Sequence, residues 1–280
     1  MAWQPPLMID ALEDVSGAYS LLLCDVWGVV HNGVRPYDRG CAALTRARSQ
    51  GKTVVLITNS PRRADAVSEQ MVQIGVPDDA WDAIVTSGDV TRRLIAEGAK
   101  RIFHIGTEAE LHIYDGLDVE LVSKEEADVI VSTGLINDEE ETLDDYDAML
   151  NEFAARELPM ICANPDLKVR RGDIVVPCAG ALAQAYEERG GLVRVAGKPH
   201  GPIYDAALDL AANSAGRSFA KSDALAIGDG VPTDVRGAIA QNIDCLFVTG
   251  GEASIEGDID TFELLKAEGM RPVAAMTQLV

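Results

Sequence analysis

Two stretches of this chain, Leu21-Leu22-Leu23-Cys24 and Val54-Val55-Leu56-Ile57, are apolar at every position. A strand with one wet face alternates apolar and polar residues, so a strand that is apolar throughout has to be covered on both faces, as the central strand of a parallel sheet is. Further short apolar or β-branched runs bounded by Gly, Asn, Asp or Ser occur at 83–86, 101–105, 128–132, 160–163, 192–196, 224–227 and 245–249. Helical patterns stand between them: 41–50 stopped by Gly51, one opened by Ser60-Pro61 with Val67, Met71 and Ile74 on one face, 90–97 stopped by Gly98, then 142–156, 181–189, 203–212, 233–241 and 261–268. Strand followed by helix on this scale predicts an α/β protein with a mostly parallel sheet covered on both sides. The runs Arg101-Ile102-Phe103-His104-Ile105 and Leu192-Val193-Arg194-Val195-Ala196 mix polar with apolar residues, which makes the middle third more peripheral.

At 280 residues the chain is long enough for two domains and needs no disulfide or metal staple to hold its core. Lys plus Arg number 24 and Asp plus Glu 45, a net charge of −21 whose field repels nucleic acid and anionic membrane surfaces as partners. A small phosphorylated substrate stays compatible with that charge if a cation in the site inverts the local sign. Cys24, Cys41, Cys162, Cys178 and Cys245 are scattered, with no C-x-x-C pair, and read as reduced, buried thiols. No basic start followed by an apolar segment opens the chain and no run reaches the ~18 apolar residues of a membrane span, so a cytoplasmic protein is expected. Glu139, Glu140, Glu141, Asp144, Asp145 and Asp147 crowd one helix start, where carboxylates complement the helix dipole; a solvated first turn describes them better than a metal site.

Four segments could carry chemistry. Leu21–Cys24 delivers Asp25 where its strand ends, and ligands of open α/β sheets bind at such carboxyl ends, although a carboxylate before Gly28 could equally cap a turn. Thr58-Asn59-Ser60-Pro61 supplies a hydroxyl, an amide and a helix N-terminus, a combination that can receive a phosphate, with Ser60 serving as the cap. Gly197-Lys198-Pro199-His200 is no nucleotide P-loop, because Leu192 stands where the first glycine belongs and Pro199 replaces the magnesium-binding Ser or Thr. Lys198 remains a candidate partner for a phosphate or for Asp25. In 224–234 the dinucleotide fingerprint fails at Thr233, which takes the place of the third glycine. What survives is Asp229 at a strand end and Asp234 at the next helix start, oxygen ligands suited to a hard cation.

In the order strand-Asp, strand-Thr-Asn-Ser, Gly-Lys and strand-Gly-Asp with a later Asp, these segments resemble the haloacid dehalogenase-like hydrolase superfamily. The resemblance is to subclass IIA, the phosphatases of the 4-nitrophenylphosphatase and pyridoxal phosphatase type. It covers nearly the whole chain. It implies a Rossmann-like, doubly wound core from residues 1–86 and 194–280 and an inserted α/β cap domain of the C2 type over 87–193, where Asn164-Pro165-Asp166-Leu167 and Gly180-Ala181-Leu182 look like cap sequences. By that resemblance Asp25 is the nucleophile that forms an aspartyl phosphate. Thr58 and Asn59 hold the phosphoryl oxygens, and Lys198 neutralises charge on the phosphoryl group and on Asp25. Magnesium (Mg2+) sits on Asp25, the backbone carbonyl of Trp27 and Asp229, with Asp234 a further contact, direct or through water. The expected substrate is a small phosphorylated metabolite. The loop around Asn164 and Asp166 is the candidate for selecting it, against the alternative of an Asn-Pro-Asp turn with no ligand contact, and a homodimer through the cap is compatible with relatives of this subclass.

One position departs from the pattern. The family's second aspartate, two residues after the nucleophile, protonates the leaving group and later activates water; here it is Trp27, whose indole N–H donates but does not titrate usefully. His31 offers an imidazole nearby, though a turn histidine before Asn32-Gly33 describes it better. Two rivals therefore stay open beside the phosphohydrolase. One is a dehalogenase proper, suggested by an aromatic residue near position 27 and opposed by Asp229 and Asp234; the other is a catalytically impaired protein that binds phosphorylated metabolites.

Overall fold

The computed structural model describes residues 3–137, 140–171, 174–251 and 261–280; of the acidic residues above, Glu139 lies outside them. The described strands are β1 (Leu7–Met8), β2 (Leu21–Asp25), β3 (Thr53–Thr58), β4 (Ala83–Thr86), β5 (Arg101–Ile105), β6 (Glu120–Leu121), β7 (Val129–Ser132), β8 (Met160–Cys162), β9 (Lys168–Arg171), β10 (Ile174–Pro177), β11 (Val193–Val195), β12 (Ala224–Gly228), β13 (Asp244–Val248) and β14 (Ala274–Met276). The helices are α1 (Glu13–Ser16), α2 (Asp38–Ser49), α3 (Ala64–Gln73), α4 (Ser87–Ala96), α5 (Asp147–Ala155), α6 (Ala179–Glu187), α7 (Gly201–Ala215), α8 (Arg236–Ala240) and α9 (Thr261–Ala267). They fall into two compact units, one of Met1–Thr58, Asp65–Val85 and Lys198–Val280, the other of Asn59–Ala64 and Thr86–Gly197.

The first unit is built on a sheet of order β1-β14-β13-β12-β2-β3-β4. Its central pairings, β13 with β12, β12 with β2 and β2 with β3, are parallel. Leu21, Leu22, Leu23 and Cys24 on β2 and Val54, Val55 and Leu56 on β3 are essentially without solvent exposure, as strands apolar on both faces require. The unforeseen strands are the short ones: β1 and β14 add two- and three-residue pairings at one edge, too brief to leave a periodic signal.

Among the helix starts that differ from expectation, two have a specific hydrogen-bonding cause. Ser60-Pro61 does not open α3, which begins at Ala64 because the Asp89 carboxylate accepts the Ala64 N–H at 3.1 Å. The Ser60 hydroxyl instead accepts from the Arg62 N–H at 3.2 Å, and the Ser60 carbonyl accepts from Gly88 at 3.1 Å. The helix predicted over 233–241 is split into a π-helical turn, Val231–Val235, and α8. There the Asp234 carboxylate accepts the Gly230 N–H at 3.0 Å, so the acid turns back toward the strand end instead of pointing outward.

The second unit carries a parallel sheet of order β11-β8-β7-β5-β6 and an antiparallel pair, β9 with β10, where the sequence predicts no strand. Tyr146, Leu150, Phe153, Leu182 and Tyr186 from α5, α6 and the turn before α5 pack with Ile130 and Met160 of the sheet. The acidic stretch behaves as a capped start: Thr142 donates through its N–H at 2.8 Å and its hydroxyl at 3.0 Å to the Asp145 carboxylate.

Candidate active site

In the first unit the chain leaves β2 toward β3 on one side and returns to β12 on the other, so the carboxyl ends of β2 and β12 form the topological switch point of the sheet. Cys24 pairs with Ile227, which brings Asp25 and the Gly228-Asp229 step to the same end, and Asp25 pairs with Ile57, which sets Thr58 one strand away. The Lys198 ammonium donates to Asp25 Oδ1 at 2.5 Å and to Asp234 Oδ1 at 2.7 Å. Asp25, Asp229, Asp234 and Lys198 are all buried, at 6, 4, 5 and 3% exposure. A carboxylate oxygen from each of the three acids lies within 4.8 Å of the other two.

Three carboxylates against one ammonium put more acidic than basic groups where little water reaches, an arrangement costing several kcal/mol in the ionised state unless a cation joins it. Its effect shows in the titration of the groups. Burial above all, and then the Asp234 charge, push the Asp25 carboxyl well above the usual carboxylate range, with Lys198 opposing. Burial works against the Lys198 ammonium, but Asp234 and Asp25 outweigh it and hold that group well above its ordinary value. The donor set of buried oxygens with surplus negative charge fits a hard divalent cation.

Backbone without side chains places these acids. A Cβ on Gly228 would stand 2.2 Å from the Asp234 carboxyl carbon, and one on Gly251 would stand 2.2 Å from Asp229 Oδ2. Gly251 escaped the sequence reading because it brings no chemistry of its own; its only signal is the Gly250-Gly251 pair just after β13.

Among the other expected site residues, Thr58 ends β3 and is 7% exposed. Asn59 belongs to the second unit, where its side-chain amide donates to Asp166 Oδ1 at 2.9 Å. The Asp166 N–H in turn donates to Asn164 Oδ1 at 3.1 Å, and Gly180 makes room for the loop, since a Cβ there would meet the Pro165 carbonyl oxygen at 2.2 Å. Asn164 and Asp166 thus shape an Asx turn tied to the residue that follows Thr58.

Trp27 follows β2 and keeps 38% of its surface exposed. His31 lies edge-on to its indole, with ring centroids 5.5 Å apart and planes at 76°. His31 itself is 3% exposed and its Nδ1 accepts the Gly33 N–H at 2.9 Å, which leaves the ring proton on Nε2; burial pushes the imidazole down to about 4. This is the neutral turn histidine of the Asn32-Gly33 bend, where the Asn32 side chain accepts from the Val34 and Arg35 N–H groups at 3.1 and 3.0 Å.

Two family models match the chain, one for haloacid dehalogenase-like hydrolases over residues 22–120 and a related one over residues 195–263. A crystal structure of a hydrolase of the haloacid dehalogenase-like family from Brucella suis superposes with a TM-score of 0.89 at 51% identity, covering 98% of this chain and all of the other (100%). The D-glycerol 3-phosphate phosphatase of Mycobacterium tuberculosis is 27% identical over 86% of this chain, which spans only 65% of that relative's length. The 5'-nucleotidase YutF of Bacillus subtilis is 24% identical, with 88% of this chain and 93% of the relative covered. Among the described residues no helix is long and apolar enough to cross a membrane.

Proposed function

The chain belongs to the haloacid dehalogenase-like hydrolase family, and from that premise we propose that it is a magnesium-dependent phosphohydrolase acting on a small phosphorylated metabolite through an aspartyl phosphate on Asp25. One observation carries this reading: three buried carboxylates converge within 4.8 Å at the switch point of the sheet with a single lysine among them. The names of the two curated relatives, a glycerol phosphate phosphatase and a 5'-nucleotidase, support a small phosphate ester as substrate.

In this reading an Asp25 oxygen bonds to phosphorus as the bond to the leaving oxygen breaks, the electron pair departing with that oxygen. Lys198 neutralises both Asp25 and the phosphoryl group, and Thr58 and Asn59 bind phosphoryl oxygens. Magnesium would be held by Asp25, Asp229, the Trp27 carbonyl and, directly or through water, Asp234, and it supplies the positive charge without which carboxylate and phosphate dianion repel each other. Water then attacks phosphorus of the acyl phosphate, releasing inorganic phosphate and restoring Asp25. Trp27 takes no part in proton transfer, so alkoxide leaving groups depart unassisted. The second unit acts as the cap, with Asn164 and Asp166 selecting the substrate.

The test is phosphate release from a panel of phosphorylated metabolites with magnesium and with chelator, in the native chain and in Asp25→Asn. Magnesium-stimulated release that Asp25→Asn abolishes is expected; full activity of that variant would move the nucleophile elsewhere. Chloride release from haloacids would reveal a dehalogenase, and tight phosphate-ester binding without turnover an impaired binder.

A further inference from the structure

The loop that follows Asp25 is braced by backbone hydrogen bonds around one exposed aromatic ring. Gly28 donates to the His31 carbonyl at 2.9 Å, Val30 to Val26 at 2.8 Å, and Tyr37 to Val30 at 2.8 Å. Bridges join Trp27 with His31 and His31 with Pro36. Against this frame the indole has its benzo edge pressed onto Gly33: a Cβ there would lie 2.3 Å from Trp27 Cη2 and 2.8 Å from Cζ3. Gly33 sits at φ 82, so the turn favours a residue without Cβ and the ring uses the space. The buried edge of His31 flanks the same ring. An indole packed against Gly33 and His31 has one edge fixed by contacts that another rotamer would forfeit, and 38% of the residue stays open, two residues after the buried carboxylate of Asp25.

A second feature of the same place points in the same direction. Asp25 and Asp234 are engaged by Lys198, His31 Nδ1 is occupied by the Gly33 N–H, and position 27 offers an indole in place of a titratable acid to a departing oxygen. Leaving groups that need no proton include aryl oxides, which are also flat and stack on an indole face.

We infer that Trp27 is a specificity-determining residue, its indole forming a preset platform that stacks the planar aromatic leaving group of an aryl phosphate. The inference rests on the phosphohydrolase reading and deepens it. It differs from the loss of an acid alone, which would favour acyl phosphates and phosphoanhydrides equally and would give the side chain at position 27 no role in binding.

Nonhydrolysable probes separate the two. Phenylphosphonate and methylphosphonate share the phosphoryl end and differ in the ring, and their affinities for the full chain with magnesium can be measured by calorimetry. The native protein is expected to prefer the phenyl compound, and Trp27→Leu to lower the phenyl-to-methyl affinity ratio about tenfold, with Trp27→Phe keeping most of it. As a check that does not depend on the folding of Trp27→Leu, Trp27 can be made the only indole of the chain by Trp3→Phe and Trp81→Phe. 4-Nitrophenylphosphonate should then quench its fluorescence at the concentrations at which it binds. An unchanged ratio in Trp27→Leu, or binding without quenching, overturns the inference and leaves the phosphohydrolase standing. If neither phosphonate binds, the phosphate site itself falls, and the platform with it.

Discussion

His31 titrates in a way that separates a buried structural imidazole from a proton carrier. The residue is 3% exposed and burial lowers its imidazole from 6.5 to about 4, so in the folded state it stays neutral where an unfolded chain would already be protonated. A folded pKa below the unfolded one means that the unfolded state binds more protons at acid pH, and stability therefore falls as pH drops through the window from 6.5 to about 4. Converting that difference at ~1.36 kcal/mol per unit gives about 3 kcal/mol in full, of which about 2 kcal/mol is lost between about pH 7 and about pH 5. Urea unfolding of the native chain and of His31→Gln at several pH values isolates this share, since the carboxylates common to both cancel in the difference. His31→Gln is expected to be the less stable of the two at neutral pH, through loss of the Gly33 contact, and to close the gap by about 2 kcal/mol on acidification. Parallel curves, or an NMR titration of His31 near its ordinary value, would refute the reasoning and return His31 to candidacy as the missing acid and base.

Gly228→Ala should destabilise the protein by about 2.5 to 6 kcal/mol, about 1–3 from overpacking against Asp234 and about 1.5–3 from loosening its charge-assisted bond to Lys198, read as a shift of the denaturant midpoint. Magnesium should raise the melting temperature of the native chain, by about 2.7 kcal/mol of stability at a hundredfold excess over its dissociation constant, with Asp229→Asn losing most of the effect. Trp27→Asp should speed hydrolysis of alkyl phosphates relative to aryl phosphates by about 10² or more, since a placed acid matters most for basic leaving groups. Acid-quench trapping should show phosphoenzyme accumulating in the native chain but not in Trp27→Asp; a flat dependence of rate on leaving-group basicity with no trapped phosphoenzyme would show that another residue carries the proton.

The parts of this protein legible in the sequence are those where a side chain does the work. β2 and β3 announce themselves because burial on both faces leaves no polar position, and Asp25, Lys198, Asp229 and Asp234 stand out because charged residues just beyond strands lie where an open α/β sheet binds its ligands. Their convergence could be expected from the order of the motifs, but not the manner of it. That Lys198 bridges Asp25 and Asp234 follows from Asp234 folding back over Gly228, and at that position the decisive property is an absent Cβ. The start of α3 differs from the sequence expectation for a related reason. Ser60-Pro61 is a sound local helix signal, yet Asp89, far along the chain, supplies the cap three residues later, and local sequence holds no record of a partner that only the fold brings near. The edge strand β1 is too short for any period to form, and its neighbour β14 is an Ala-Ala-Met run with none of the β-branched or aromatic residues that mark a strand. Trp27 joins both kinds of information. Its identity, read in the sequence, departs from the family pattern, while the packing of its ring on Gly33 and beside His31 is visible only in three dimensions, because an Asn32-Gly33 bend in the sequence does not say which side chain will use the space a missing Cβ leaves.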